Sequence, residues 1–470
     1  MAQARSESSR FSEAALWLRS SLKWLYPGMR VKRWLLLVPV GISLVIIGVG
    51  LITNLRTFDY LRLLDDLART VFLRFGVELN LPRVYVPVSL AFMAAGLLLI
   101  FVSIKQTIGS ITSALVTMDK RRLADVVFQK RYLAQGQRVV TIGGGTGLST
   151  LLRGLKQYTS NIVAIVTVTD DGGSSGALQR QFGMLPPGDI RNCLVALADA
   201  ETLMTELLQY RFDGRGDHQP DEGRPQPPGT PGSLEGHSFG NLLLAAMTHL
   251  TGDFEMAVKE TSRVLAIRGR VLPSTVQNVS LMAEMEDGTV VEGETSILKA
   301  PGAIKSIYLN PPEVQPLSEA LDAIHKAEAI IIGPGSVFTS IIPNLLVRGI
   351  PEAISRSKAL KVYVCNVMTQ PGETDGFGVV DHIRAIERHA PAVRLFDYVL
   401  MNDSVPSREL LERYRREGAD LVPPDVEGVR QMGYHPVVAP LISETEVARH
   451  DPDKLASAVM RLLFERAPRL

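Results

Sequence analysis

Cysteine is almost missing from this 470-residue chain: Cys193 and Cys365 are the only two. They stand far apart and match no metal-binding or redox spacing. A disulfide framework is excluded, and a reducing compartment is expected. Net charge is scarce as well. Lys and Arg total 50 against 49 Asp and Glu, leaving +1, so there is no global electrostatic case for a nucleic-acid partner. Familiar catalytic signatures are absent too. The sequence has no Ser-His-Asp elbow, no HExxH and no clustered Cys/His site.

Long apolar runs are present, and both lie near the N-terminus. Trp34–Leu55 reads WLLLVPVGISLVIIGVGLITNL and Val84–Ile104 reads VYVPVSLAFMAAGLLLIFVSI, each without a charge. Each approaches the roughly 20 residues that cross a bilayer. Pro39 and the glycines are tolerable in such helices, whereas a soluble core helix would show a polar face. A long polar lead and a second run argue against a signal peptide. Arg19, Lys23, Arg30, Lys32 and Arg33 precede the first run, and Lys105, Lys120, Arg121 and Arg122 follow the second. By the positive-inside rule both flanks are expected in the cytoplasm, although Arg56, Arg62, Arg69, Arg74 and Arg83 in the connecting loop reduce the contrast. The expected layout is a basic cytoplasmic lead (residues 1–32), a transmembrane helical hairpin (33–105) and a juxtamembrane helical stalk (106–137). The stalk reads as an amphipathic connector, or as a surface for a second copy or for anionic lipid. This predicts a two-pass protein of a bacterial inner membrane with its C-terminal domain in the cytoplasm.

From Arg138 the pattern changes. RVVTIG, NIVAIVTVTDD, AIIIGPGS, LKVYVCNV and DYVLMND are strand-like, and each precedes a helical stretch. Nearly continuous β-branched runs suit parallel strands covered on both faces. The expected fold is α/β: a Rossmann-like, doubly wound, mainly parallel sheet over residues 138–470. Asp287-Gly288 marks an antiparallel hairpin excursion. Residues 215–236, rich in Pro, Gly and charge, read as a disordered surface insert.

The glycine turn Gly143-Gly144-Gly145-Thr146-Gly147-Leu148 follows the first of these strands. It lacks the P-loop lysine, and Leu148 replaces the third glycine of a dinucleotide fingerprint. What remains is a strand–turn–helix phosphate cradle, with Thr146 and Ser149 as candidate hydroxyl donors. At the next strand end, Asp170 and Asp171 stand where an acid meets a ribose or sugar hydroxyl, followed by the small-residue turn Gly172–Gly176. Asp189 reads as an N-cap. Arg191 would hold a phosphate or pair with Asp189 or Asp171. Ser238 would cap the helix that carries Asn241. Further strand ends place Gly333, Gly335 and Ser336, then Asn366, Thr369, Gln370 and Glu373. This recurrence at strand ends, where a doubly wound sheet builds its crevice, is the main functional signal.

IGGGTGLSTLLRGLK, TVTDDGGSSG, PPGDIRN, HSFGNLLLAAMT, IGPGSVFTSIIPNLL and CNVMTQPGETDGF together resemble the YvcK-like gluconeogenesis factors, in the superfamily of CofD, the 2-phospho-L-lactate transferase. The resemblance implies a homodimeric, non-catalytic binder of a UDP-sugar, notably UDP-N-acetylglucosamine. Such a protein would act in central carbon metabolism, cell-wall precursor supply and cell shape. It implies a site of Gly144, Gly145, Thr146, Gly147, Asp170, Asp171, Gly173, Ser174, Ser175, Asp189, Asn192, His237, Asn241, Gly335, Ser336 and Asn366. By the same resemblance Tyr414 in LLERYRREGA would stack on uracil, and Arg449 in VARHDPDKLA would meet the diphosphate. Pro452 stands where relatives carry a phosphorylatable threonine, which excludes that switch here. An implied partner is a wall-precursor enzyme such as the glucosamine-6-phosphate-forming amidotransferase. No cofactor is required for binding. The alternative is a CofD-like transferase, in which Asp170, Asp171 and Asp189 would hold Mg²⁺. A NAD(P)-dependent oxidoreductase is a weaker third reading, because Leu148 breaks its fingerprint.

Overall fold

The computed structural model describes Trp34 and residues 36–52, 81–115, 132–199, 202–212, 234–391, 393–444 and 448–466. The basic lead, nearly all of the loop joining the apolar runs, and most of the insert 215–236 lie outside the described residues. The chain divides into two compact units, Met1–Val127 and Phe128–Leu470.

The N-terminal unit contains two apolar helices, α1 (Leu37–Ile52) and α2 (Leu81–Leu115). They pack as an antiparallel pair along a seam of small residues. A Cβ placed on Gly96 would lie 2.6 Å from the Gly41 carbonyl, and one on Gly48 would lie 2.8 Å from the Ser89 carbonyl. The Ser103 hydroxyl donates to the Trp34 carbonyl at 2.8 Å. Ser89 and Ser103 are fully buried, whereas Leu98 and Phe101 are 64% and 65% exposed. The pair therefore keeps its small residues inside and its large apolar residues outside. Only the stretch Val86–Thr107 is both long and apolar enough to cross a membrane among the described residues, and the apolar helix Leu37–Leu51 is shorter. The expected boundary at residue 105 is not a helix end, because α2 runs on to Leu115.

In the second unit the β-branched runs become a seven-stranded sheet in the order β10-β9-β8-β7-β1-β2-β3. Its strands are β1 (Val139–Gly143), β2 (Ile162–Val166), β3 (Arg270–Pro273), β7 (Ala329–Ile332), β8 (Leu360–Val364), β9 (Tyr398–Asn402) and β10 (His435–Ala439). Every neighbouring pair is parallel. Central β1 and β7 are buried along their whole length, which explains their unbroken apolar reading. The chain winds outward from β1 to β3, then returns to β7 beside β1 and winds outward the other way. The switch point thus lies between β1 and β7, where such sheets open a ligand crevice at the carboxyl ends of their strands.

The excursion is larger than a hairpin: β4 (Ser280–Met285), β5 (Val290–Glu292) and β6 (Ile304–Asn310) form a separate antiparallel sheet. Asp287 and Gly288 make the expected turn, and Asp287 Oδ1 accepts the Thr289 N–H at 2.8 Å. A ribbon of β11 (Ile442–Glu444) and β12 (Ala448–His450) pairs antiparallel just before the last helix, which opens at Pro452, a residue suited to a first helical position. Helices named below are α3 (Gly145–Leu155), α4 (Gly173–Phe182), α5 (Gly188–Leu197), α6 (Phe239–Thr251) and α7 (Arg408–Arg416).

Candidate functional site

The crevice at the switch point is a cavity of ≈ 620 Å³. Gly144, Gly145, Thr146 and Gly147 form one wall, at the start of α3, and Pro334, Gly335 and Ser336 form the facing wall beyond β7. The two turns touch. A Cβ on Gly147 would lie 2.6 Å from the Pro334 carbonyl oxygen, so glycine is what allows the approach. Asn366, just past β8, fixes the second turn by gripping both backbone groups of Gly335. It accepts the Gly335 N–H at 3.2 Å and donates to the Gly335 carbonyl at 2.9 Å. Tyr414 on α7, Arg449 on β12 and Asp189 belong to the lining as well.

Two helix starts at this crevice are already occupied by the protein's own acids. The Asp189 carboxyl accepts the Gly145 N–H and lies so close to Gly144 that any side chain there would collide with it. Beyond β7, Glu373 Oε1 accepts the N–H groups of Phe338 and Thr339 at 2.6 and 3.0 Å, at the start of the π-helical turn Val337–Ile341. By helix geometry the N–H groups of Thr146 and Gly147 have no acceptor within α3. These are the donors that can still meet an anion, beside the exposed Thr146 side chain. Ser149, expected as a donor to ligand, instead returns its hydroxyl to the Gly145 carbonyl at 2.9 Å.

Burial and crowding of like charge set the acids' protonation. Burial raises Asp189 to about 7, helped by Asp170 and opposed by the Gly145 N–H and Arg191. Burial raises Glu294 to about 9, with Asp170, Asp189, Glu373 and Asp171 adding to it. Glu373 is raised to about 7 by burial, against the pull of its N–H donors and of Ser336. His450, beside Arg449, is lowered to about 4 by burial, against a hydrogen bond to the Cys365 backbone.

The structure brings Gly144, Gly145, Thr146, Gly147, Asp189, Gly335, Ser336, Asn366, Tyr414 and Arg449 into one cavity. Asp170, Asp171, Gly173, Ser174, Ser175, Asn192, His237 and Asn241 do not line it. They form an adjoining polar cluster beyond the end of β2, around the starts of α4, α5 and α6. There Ser174 Oγ lies 3.0 Å from His237 Nδ1 and accepts the Asn241 amide at 3.1 Å. Asp170 accepts the Gly172 N–H at 2.9 Å, and Asp171 accepts the Thr295 hydroxyl at 2.7 Å. Among the described residues Arg191 makes no ion pair with Asp189 or Asp171. Its guanidinium donates to Ser238 and, at 2.9 Å, to Asn192. Ser238 caps α6 by accepting the Asn241 N–H.

Sequence reading missed Glu294, Glu417 and His450, all of which line the cavity. Glu417 and His450 sit beside residues already singled out, three after Tyr414 and one after Arg449. Glu294 follows β5, and only tertiary packing carries it to the crevice. Among the described residues no group of three or more His, Cys, Asp or Glu is placed to hold a metal ion. Asp170, Asp171 and Asp189, the acids read as an Mg²⁺ set for a transferase, are not gathered into such a group.

Comparison with known proteins bears on the family and the fold. The family model described as 2-phospho-L-lactate transferase CofD matches residues 139–442. A relative from Nostoc sp. is 48% identical over 441 residues, spanning 93% of this chain and 92% of its own. The gluconeogenesis factor of Bacillus subtilis is 46% identical over 334 residues, which cover 71% of this chain and 100% of that relative. A solved structure of a Bacillus halodurans protein superposes with a TM-score of 0.64 at 46% identity, over 69% of this chain and 100% of that one. The Nostoc match is too long to be contained in Phe128–Leu470, so it reaches into the N-terminal unit.

Proposed function

The chain belongs to the CofD family, among relatives named gluconeogenesis factor, and from that premise we propose that it is a membrane-tethered, cytosolic UDP-sugar sensor. UDP-N-acetylglucosamine is the first ligand to try, and the regulated process is central carbon metabolism with cell-wall precursor supply. One observation carries this reading. A single cavity joins a glycine turn at a helix start to an aromatic ring, Tyr414, and an exposed guanidinium, Arg449. A sugar nucleotide needs those three things: donors for a diphosphate, a cation beside it, and a flat face for a base. The volume of ≈ 620 Å³ is in the range of pockets that enclose small molecules.

Signalling follows by differential binding. Ligand favours one arrangement of the crevice walls, and a partner distinguishes the two arrangements. A second copy of the chain and a wall-precursor enzyme, such as the glucosamine-6-phosphate-forming amidotransferase, are the partners this reading carries. The tether is the α1–α2 pair, proposed to cross the inner membrane twice, with the full apolar run Trp34–Leu55 rather than the shorter α1 alone as the first span, and to leave the C-terminal domain in the cytoplasm. Its small-residue seam and apolar outer surface suit helix packing in lipid.

One observation favours a transferase instead: Asp189, raised to about 7 inside the cavity, suits acid–base work. Calorimetry on the full chain in detergent micelles separates the readings. UDP-N-acetylglucosamine, UDP-glucose, GDP and NAD are titrated with and without Mg²⁺. The sensor predicts saturable UDP-sugar binding, ligand recovered intact, and loss of affinity in Arg449→Ala and Tyr414→Ala. Preference for GDP with Mg²⁺, or consumption of the ligand, overturns it.

A further inference from the structure

An acid at the cavity edge has a different setting from Asp189 and Glu294. Glu417 is exposed, lines the cavity, and terminates the helix that carries Tyr414. Its own N–H donates to the Tyr414 carbonyl at 2.9 Å, so the side chain leaves from a fixed point beside that ring. No ion pair to Glu417 occurs among the described residues. The nearby arginines are directed elsewhere: Arg415 pairs with Asp420 at 3.1 Å, and Arg416 donates to the Glu412 carbonyl at 3.3 Å. Arg413 stands over the Tyr414 ring, 5.8 Å from its centroid.

A nucleotide site in a doubly wound sheet commonly uses one carboxylate for the ribose. The sequence assigned that task to Asp170 or Asp171, but both lie outside the cavity and accept protein donors. The task is left open at the crevice, and Glu417 has the chemistry for it. A carboxylate only accepts, and its two oxygens match the two O–H groups of a cis-diol. It also repels phosphate, which sends the diphosphate toward the glycine turn and leaves the nucleoside beside Tyr414. We propose that Glu417 reads the ribose, accepting the 2′- and 3′-hydroxyls of a ribonucleotide whose base lies against Tyr414. This deepens the sugar-nucleotide reading and rests on it.

The test uses calorimetry on the full chain in detergent micelles, with UDP-N-acetylglucosamine and its 2′-deoxyuridine counterpart as probes. A hydrogen bond to a charged group predicts that the unmodified protein prefers the ribonucleotide by about tenfold or more. Glu417→Ala is expected to weaken ribonucleotide binding by a similar factor and to bind both probes equally. Glu417→Gln, which keeps an acceptor, retains part of the preference. Both variants should melt at the same temperature as the parent without ligand, since Glu417 is exposed and makes no ion pair. Equal binding of both probes by the unmodified protein overturns the inference while leaving the sugar-nucleotide reading intact. Persistence of the ribose preference in Glu417→Ala does the same. Failure of the unmodified protein to bind either probe overturns the underlying reading, and the inference falls with it.

Discussion

The Glu373 carboxyl accepts the Phe338 N–H at 2.6 Å, placing an acid of the protein at a helix start that the topology offers to ligand. The same oxygen accepts the Thr339 N–H, and the side chain is 4% exposed. Truncation would leave two buried donors without an acceptor. Glu373→Ala is therefore expected to destabilise the folded chain by about 2–3 kcal/mol, whereas Glu373→Gln, which keeps an acceptor, should cost less. Denaturant unfolding followed by circular dichroism checks the order; equal losses would mean that the cap contributes nothing.

The contact between the turns predicts a binding defect. Gly147→Ala inserts a methyl group 2.6 Å from the Pro334 carbonyl oxygen, and the two walls must separate to admit it. The Thr146 and Gly147 donors are then displaced from their place in the cavity wall. Affinity for UDP-N-acetylglucosamine should fall more than tenfold in a protein that still folds, as read by calorimetry beside a far-ultraviolet spectrum. Unchanged affinity would remove this turn from the binding site.

Stability should decline on the alkaline side. Asp189, Glu294 and Glu373 rise on folding to about 7, 9 and 7 from 3.8, 4.5 and 4.5. The folded state keeps protons that the unfolded chain has lost, so stability falls as pH rises from about 4 to about 9. His450 acts in the other direction: lowered to about 4 from 6.5, it costs stability as pH falls through that interval. Three carboxyls outweigh one imidazole, so melting temperatures should fall from about pH 5 toward pH 9. Glu294→Gln should flatten the alkaline drop, and an unaltered drop would deny Glu294 its part.

The N-terminal pair makes a prediction about the cell. If the outer faces of α1 and α2 meet lipid, the full chain stays in the membrane pellet through high salt and alkaline carbonate, and only detergent releases it. Removing residues 33–105 should move the chain to the soluble fraction. Release of the full chain by salt alone would contradict the tether.

Local patterns made much of the fold readable. The β-branched runs of β1, β2, β7, β8 and β9 need burial on both faces, and each glycine or small-residue turn at their ends marks a carboxyl edge. These signals lie within a few residues of one another. The occupied helix starts were not readable, because Asp189 reaches Gly145 and Glu373 reaches Phe338 only after distant elements pack. The separation of the Asp170–Ser175 loop from the cavity was hidden for the same reason. Its acids find Gly172 and Thr295 as partners, and a sequence shows the acid without showing who answers it. The third strand of the small sheet, β6, also escaped, since its pairing with β4 bridges a turn and a short helix.

The cavity draws its walls from both ends of the second unit: Gly144–Gly147 near its beginning, and Tyr414 and Arg449 near its finish. During synthesis the chain emerges from its N-terminus, and domains fold as units once their residues are available. The α1–α2 pair leaves the ribosome long before Arg449 does. A nascent chain thus displays its apolar helix pair while the cavity still lacks a wall, and the cavity is complete only as translation ends.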